Sequence, residues 1–254
     1  MTTATMGGPA RAATTTRWFY VYMAGAFVLI AFGGFVPTYW ARLATGTFDG
    51  HPILHVHGAL FFSWTLFFLA QTSLVATGRT LDHRAWGMAG ISLATAMGFS
   101  VVLAAINSIK VAEAIGMGDE ARRFAVVSLS ALVLFAVIFA SAIANIRRPE
   151  AHKRLMILAC IPLMQAAMAR VFRTVMSPPG VVGPPPVFVS VPPGLLVDLL
   201  LVAAIVYDWR TRGRPHPVYL IGAPLIVLQQ LLNVPISATP AWMTIARAVE
   251  SLAG

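Results

Sequence analysis

Phe124-Ala-Val-Val-Ser-Leu-Ser-Ala-Leu-Val-Leu-Phe-Ala-Val-Ile-Phe-Ala-Ser-Ala-Ile-Ala-Asn-Ile146 runs for 23 residues without a charged side chain. As an α-helix it is long enough to cross the roughly 30 Å hydrocarbon core of a bilayer. Further apolar blocks lie on either side of it. They place spans at 18–36, 54–76, 86–109, 124–146, 155–176, 192–209 and 218–234. The expectation is an all-α integral membrane protein of seven transmembrane helices. A four-helix core would be formed by the second to fifth spans. The chain divides into an N-terminal tail (1–17), the seven-helix domain (18–236) and an amphipathic tail (237–254).

Composition agrees with this reading. Of 254 residues, 58% are apolar and 11% charged, against about 25% charged in a soluble domain. The net charge is +9, but the basic residues occupy short turns between apolar blocks. They suit the anionic lipid bilayer, and no nucleic acid is expected as a partner. The single cysteine, Cys160, lies inside an apolar block, so no disulfide framework exists and a small buried hydrophobe is expected. Met1 to Thr16 lacks the order of a cleavable signal.

Eleven of the eighteen Lys/Arg residues fall on one side of the predicted bundle: Arg11, Arg17, Arg79, Arg84, Arg147, Arg148, Lys153, Arg154, Arg210, Arg212 and Arg214. By the positive-inside rule that side is cytoplasmic, which sets the N-terminus inside and the C-terminus outside. The bacterial inner membrane is the expected location. Aromatic residues cluster at the span ends, as an interfacial belt requires. On the outer side, Ser177–Val191 contains Ser-Pro-Pro-Gly-Val-Val-Gly-Pro-Pro-Pro, which reads as an extended polyproline segment, either a cap or a stiff connector. Beyond Pro240, Trp242, Ile245, Val249 and Leu252 recur at helical steps with Arg247 and Glu250 opposite. This predicts a short interfacial helix on the outer leaflet.

Six histidines carry the chemistry the sequence offers, three toward each side. On the outer side, Pro52 is a favoured first-turn residue, so a helix starting there sets His51 and His55 one turn apart at metal-ligand spacing. His57, beside Gly58, points elsewhere, and the sequence leaves open which of His55 and His57 faces the bundle. Simple interfacial hydrogen bonding is the other reading of His51, His55 and His57. The inner group is His83, His152 and His216. It reads either as part of an interfacial basic cluster with Arg84, Lys153 and Arg154, or as an axial pair for haem, His83 with His152. A short repeat supports the pair. Arg79-Thr-Leu-Asp-His83-Arg84 opens the third span and Arg148-Pro-Glu-Ala-His152-Lys153-Arg154 the fifth. Arg170, Arg173 and Asp198 lie in the outer half of the fifth and sixth spans. A charge inside a span is costly unless paired or facing a cavity, and the matched depth predicts an Arg170–Asp198 pair. With Gln165, Gln229, Gln230 and Asn233 they suggest a polar outer cavity. No phosphate loop, Ser/His/Asp order or cysteine-metal motif is present, so no catalytic residue is assigned.

His57-Gly58-Ala59, His83-Arg84-x-x-Gly87 and Arg148-x-x-x-His152-Lys153-Arg154-x-Met156 together resemble an uncharacterised family of bacterial predicted membrane proteins. That resemblance implies a helical membrane fold and no established activity. More distantly, His51-Pro52 opening a span, a histidine opening the next and Arg-Pro-x-x-His opening a later one are similar to the ascorbate-reducible cytochrome b family. There, four consecutive helices supply two histidine pairs to two haems. The resemblance covers about 50–173 and implies His83 and His152 as the inner haem ligands, with His57, His51 or His55 as half of an outer pair. The fourth span carries Ser128 and Ser130 where the outer partner would stand. A single haem b, or a transition metal held by His51, His55 and His57, agrees better.

Three functions follow as expectations. The first is a membrane redox protein, an electron carrier or respiratory-complex subunit working with quinone or other membrane redox subunits. The second is a binding or transport protein for a small ligand or metal ion, using Arg170, Arg173 and Asp198. The third is an accessory subunit without chemistry of its own.

Overall fold

The computed structural model describes residues 9–177 and 182–253, with backbone alone for 9–17 and 253. Among the described residues there is no β-strand, and seven helical segments are long and apolar enough to cross a membrane. The first span is α1 (Pro9–Gly34), continued by a π turn (Val36–Trp40) and a short helix (Ala41–Ala44). Then come α2 (Pro52–Ala76), α3 (Thr80–Glu113) and α4 (Gly118–Ala144). The fifth span is α5 (Pro149–Cys160) and α6 (Gln165–Met176), separated by a 3₁₀ turn at Pro162–Met164. The sixth begins with a 3₁₀ turn (Val187–Ser190) and continues as α7 (Val191–Val197) and α8 (Leu199–Arg212). The seventh is α9 (Pro217–Ile236). A last helix, α10 (Pro240–Glu250), follows.

Each of α1 to α5 packs on its sequence neighbour, except that α1 also lies along the fifth span, which closes the bundle. Short turns enforce this antiparallel order. The turn between α2 and α3 closes at Gly78 with φ +81, a left-handed conformation that glycine adopts without a Cβ clash. Gly213 does the same as the cap of α8, at φ +74. The core runs through Phe27, Trp64, Phe68, Met97, Phe135, the 157–161 segment, Tyr219 and Ile226, and Cys160 is buried within it. Many large apolar side chains outside this core, Leu29, Phe99 and Val133 among them, are exposed on the isolated chain. Lipid is the medium that suits them.

The C-terminal helix forms as expected, and one face of it packs on protein. Trp242 and Ala246 are buried against Ile109, Ala112, Ala121, Ala125 and Val126, so α10 docks on the α3–α4 hairpin. Trp242 Nε1 donates to the Arg122 carbonyl at 2.9 Å, and Arg122 Nε donates to the Glu250 carboxylate at 2.8 Å. Glu250 therefore faces protein, while Ile245 and Leu252 are the exposed apolar residues. The helical period was legible in the sequence. Which stripe of it meets the hairpin depended on a partner for Arg122. Of the proline-rich connection, 178–181 lie outside the described residues, and 182–186 contain no helix.

Candidate functional site

The repeat identified in the sequence is repeated in backbone geometry. Arg79 and Arg148 are the N-caps of α3 and α5. Each offers its carbonyl to the histidine amide four residues on, His83 N at 3.1 Å and His152 N at 2.9 Å. Both imidazoles therefore stand one turn inside a helix at the same end of the bundle. Their ring centres are 6.4 Å apart, edge to face at 72°. His152 Nδ1 bonds the Ala142 carbonyl at 2.8 Å, so in the neutral ring that nitrogen carries the proton and Nε2 is left as the lone-pair donor. His83 Nδ1 is buried without a hydrogen-bond partner, as are both amide atoms of Gln71 on α2.

The spacing of these two rings, though not their edge-to-face orientation, suits one of the two sites considered for a metal. With metal–nitrogen bonds of about 2.1 Å, imidazoles on opposite sides of one ion have ring centres roughly 6 Å apart. Among the described residues, however, no group of three or more His, Cys, Asp or Glu side chains is placed to hold a metal. A bare zinc-like ion wants three or four protein ligands. A haem brings four equatorial nitrogens with it, so two histidines suffice.

His51, His55 and His57 are not gathered together. His51 is the N-cap of α2, in extended conformation, and its Nδ1 accepts from Ile53 N at 3.2 Å. The helix starts at Pro52, yet His51 stands outside it and does not share a helical face with His55. His55 Nδ1 bonds the Tyr39 hydroxyl at 2.9 Å, between the Tyr39 and Phe48 rings. His57 Nδ1 lies 3.1 Å from Ser100 Oγ, and the Ser100 hydroxyl donates to the Met97 carbonyl at 2.7 Å. With that proton committed, His57 Nδ1–H is the donor to Ser100. Ser100 lies 17 residues after His83 on α3, which separates the two sites by about 25 Å of helix. His57 therefore cannot join the His83–His152 pair.

Beside that pair lies a buried ion network whose extent the sequence did not suggest. Arg154 and Asp208 side chains are each 1% exposed. Arg154 binds Asp208 with two parallel bonds, Nε to Oδ2 at 2.7 Å and Nη2 to Oδ1 at 2.5 Å. Its Nη1 reaches the Glu150 carboxylate at 2.8 Å, and Glu150 also receives Lys153 at 2.6 Å and pairs with Arg212. Asp208 Oδ2 accepts from His216 N at 3.1 Å. His216 itself caps α9, its Nδ1 accepting from Val218 N at 3.2 Å. Burial first, and the Arg154 and Arg212 charges after it, hold the His216 imidazole below its usual value. That keeps the ring neutral, as the cap requires. Arg154 is thus buried and paired in one network with Glu150, Lys153 and Asp208. The signal for this was an acid, Asp208, one turn inside an otherwise basic span end.

At the opposite end the expected Arg170–Asp198 pair is absent. The Arg170 guanidinium lies over the Phe35 ring, 5.4 Å from its centre. Arg173 donates to the Gly183 carbonyl at 3.4 Å. Asp198 is 7% exposed, and among the described residues its carboxylate receives only Gln230 Nε2, at 3.3 Å. Equal depth fixes one coordinate of a side chain and leaves its direction round the helix free. Arg170 turns toward the first span, Asp198 toward the seventh. The amides expected in the outer half do converge, as a bonded network. Gln229 Nε2 donates to Ser130 Oγ at 2.7 Å, Ser130 to Asn233 Oδ1 at 2.8 Å, and Gln165 Nε2 to the Ser190 carbonyl at 2.8 Å.

No family model matches the sequence, and neither a curated protein nor a solved structure matches it.

Proposed function

We propose that this protein is a membrane electron carrier whose redox centre, a haem iron, is held by His83 of α3 and His152 of α5. The observation that carries the reading is the 6.4 Å separation of two imidazoles, each four residues after an arginine N-cap, on two different spans. His152 is oriented for ligation by its Nδ1 bond to the Ala142 carbonyl, the second-sphere contact that fixes tautomer and ring plane in metal-bound histidines. The absence of a third His, Cys, Asp or Glu ligand among the described residues favours haem over a bare ion. The similarity to the ascorbate-reducible cytochrome b family points the same way. When bound, the group would supply one-electron chemistry. The chain supplies the two nitrogens, a half-buried site and a neighbouring network of fixed charge. By the positive-inside argument this end faces the cytoplasm of a bacterial cell, with quinone or another membrane redox subunit as the exchange partner.

The test is the absorption spectrum of detergent-purified protein expressed with haem supply, recorded oxidised and reduced. A sharp reduced-minus-oxidised band is expected. His83→Ala and His152→Ala should each abolish it, and His57→Ala should leave it intact. A flat difference spectrum from folded, haem-supplied wild type removes the reading.

A further inference from the structure

The fifth and sixth spans each tighten locally without leaving helical conformation, and the two places lie near each other. The fifth changes to a 3₁₀ turn at Pro162–Met164, with Gln165 directly after it. The sixth tightens at Asp198, between α7 and α8, while its hydrogen-bond ladder continues through that residue. Between them lies Gly194, which has no room for a side chain. A Cβ there would come within 2.8 Å of Gln230 Cδ and 3.1 Å of Gln165 Nε2. The glycine thus lets an amide of the fifth span and one of the seventh approach the backbone of the sixth.

The hydrogen bonds at this junction leave two acceptors over. Gln165 Nε2 is used by the Ser190 carbonyl and Gln230 Nε2 by Asp198 Oδ1. Asp198 Oδ2 and Gln230 Oε1 remain, both buried and both without a partner. Gln230 is 2% exposed and Asp198 7%. Among the described residues, Gln230 of the seventh span is the side chain that bonds the carboxyl, and no ion pair reaches it. The two arginines of α6 are engaged elsewhere, on Phe35 and on the Gly183 carbonyl. An ionised carboxylate with one amide donor would be among the costliest groups to bury in a span. A single proton removes the difficulty. Placed on Oδ2, it is the one missing donor, and Gln230 Oε1 is the acceptor it lacks.

We propose that Asp198 is a proton-binding site, its proton shared with Gln230 at the junction of the fifth, sixth and seventh spans. The proton comes from water as hydronium and leaves to water, with no other reactant. The site gives the molecule a group that can load and release one proton at the end of the bundle opposite His83 and His152, and it stands whether or not those histidines hold haem.

The experiment is infrared difference spectroscopy on the full chain in lipid vesicles, in light and heavy water. Wild type at neutral pH is expected to show the C=O stretch of a protonated carboxyl, downshifted by deuterium. Asp198→Asn should lose that band completely while keeping the wild-type melting temperature, since a neutral amide replaces a neutral acid. Gln230→Leu should move the band to higher frequency, because the acceptor for the carboxyl proton is gone. A wild type without the band, or a band that survives in Asp198→Asn, overturns the proposal. So does a wild-type melting temperature raised by sodium or potassium and unaffected in Asp198→Asn, which would assign the junction to a metal cation.

Discussion

The two ends of the bundle treat buried charge in opposite ways. At the end that carries His83 and His152, Arg154 is wholly buried and wholly paired, with Asp208 in a two-bond fork and Glu150 beside it. At the other end Asp198 is nearly as buried and has a single neutral partner. The sequence sets the first end at eleven basic and three acidic side chains, and the second at seven basic and six acidic. Excess positive charge is therefore not what determines pairing. The crowded basic end recruits two of its three acids into one network, whereas the nearly balanced end leaves its deepest acid to an amide. A buried ion pair is rigid because removing either member strands the other. A buried carboxyl bonded to an amide can instead be made neutral by a single proton. The comparison separates an end built to hold its shape from an end able to respond to its surroundings.

The most severe way to break this contrast is at the fork. Asp208→Ala leaves the Arg154 guanidinium buried without its main partner, and should cost about 3–5 kcal/mol. The loss would be read as a large fall in detergent melting temperature, with much of it recovered by the double replacement Arg154→Met, Asp208→Leu. A double variant no more stable than Asp208→Ala would show that the network does more than balance charge. At the amide end, Gln230→Leu should cost less, about 1–3 kcal/mol, since it strips the only donor from a group that can be neutral. If Gln230→Leu matches Asp208→Ala, the two ends are alike after all. Smaller again, Ser100→Ala should cost about 1 kcal/mol, the worth of the His57 and Met97 bonds it breaks, without altering any absorption assigned to His83 and His152.

The smallest effect sits outside both sites, on α10. The Arg122 guanidinium, hydrogen-bonded to Glu250, holds that carboxyl below the usual carboxylate range. The folded value being depressed, its stabilisation of the docked helix is present above the ordinary glutamate value of about 4.3 and fades as pH falls toward and through the folded value. Trp242 fluorescence should report undocking on acidification in wild type. Glu250→Gln should show a weaker attachment at neutral pH and little further change. An identical acid response in Glu250→Gln would move the effect to Glu113 or Asp119, which also pair with Arg122.

Much of this molecule was legible before any coordinates. The uncharged runs set seven membrane helices because an unpaired backbone is intolerable in hydrocarbon. The twice-used Arg-x-x-x-His start matched His83 to His152 in depth, since an N-cap and a fixed offset of four set height along a helix. Cys160, in the middle of an apolar block, was bound to be buried. What escaped the sequence was direction. His51 and His55 were spaced as ligands, but His51 capped its own helix. Arg170 and Asp198 shared a depth and faced different neighbours. Glu250 turned toward Arg122, and Arg154 toward Asp208, a partner 54 residues away. Periodicity and charge along the chain determine which segments cross the membrane and how far in each residue lies. The rotation of each helix is decided only when all of them pack, because it depends on which distant side chain completes a hydrogen bond.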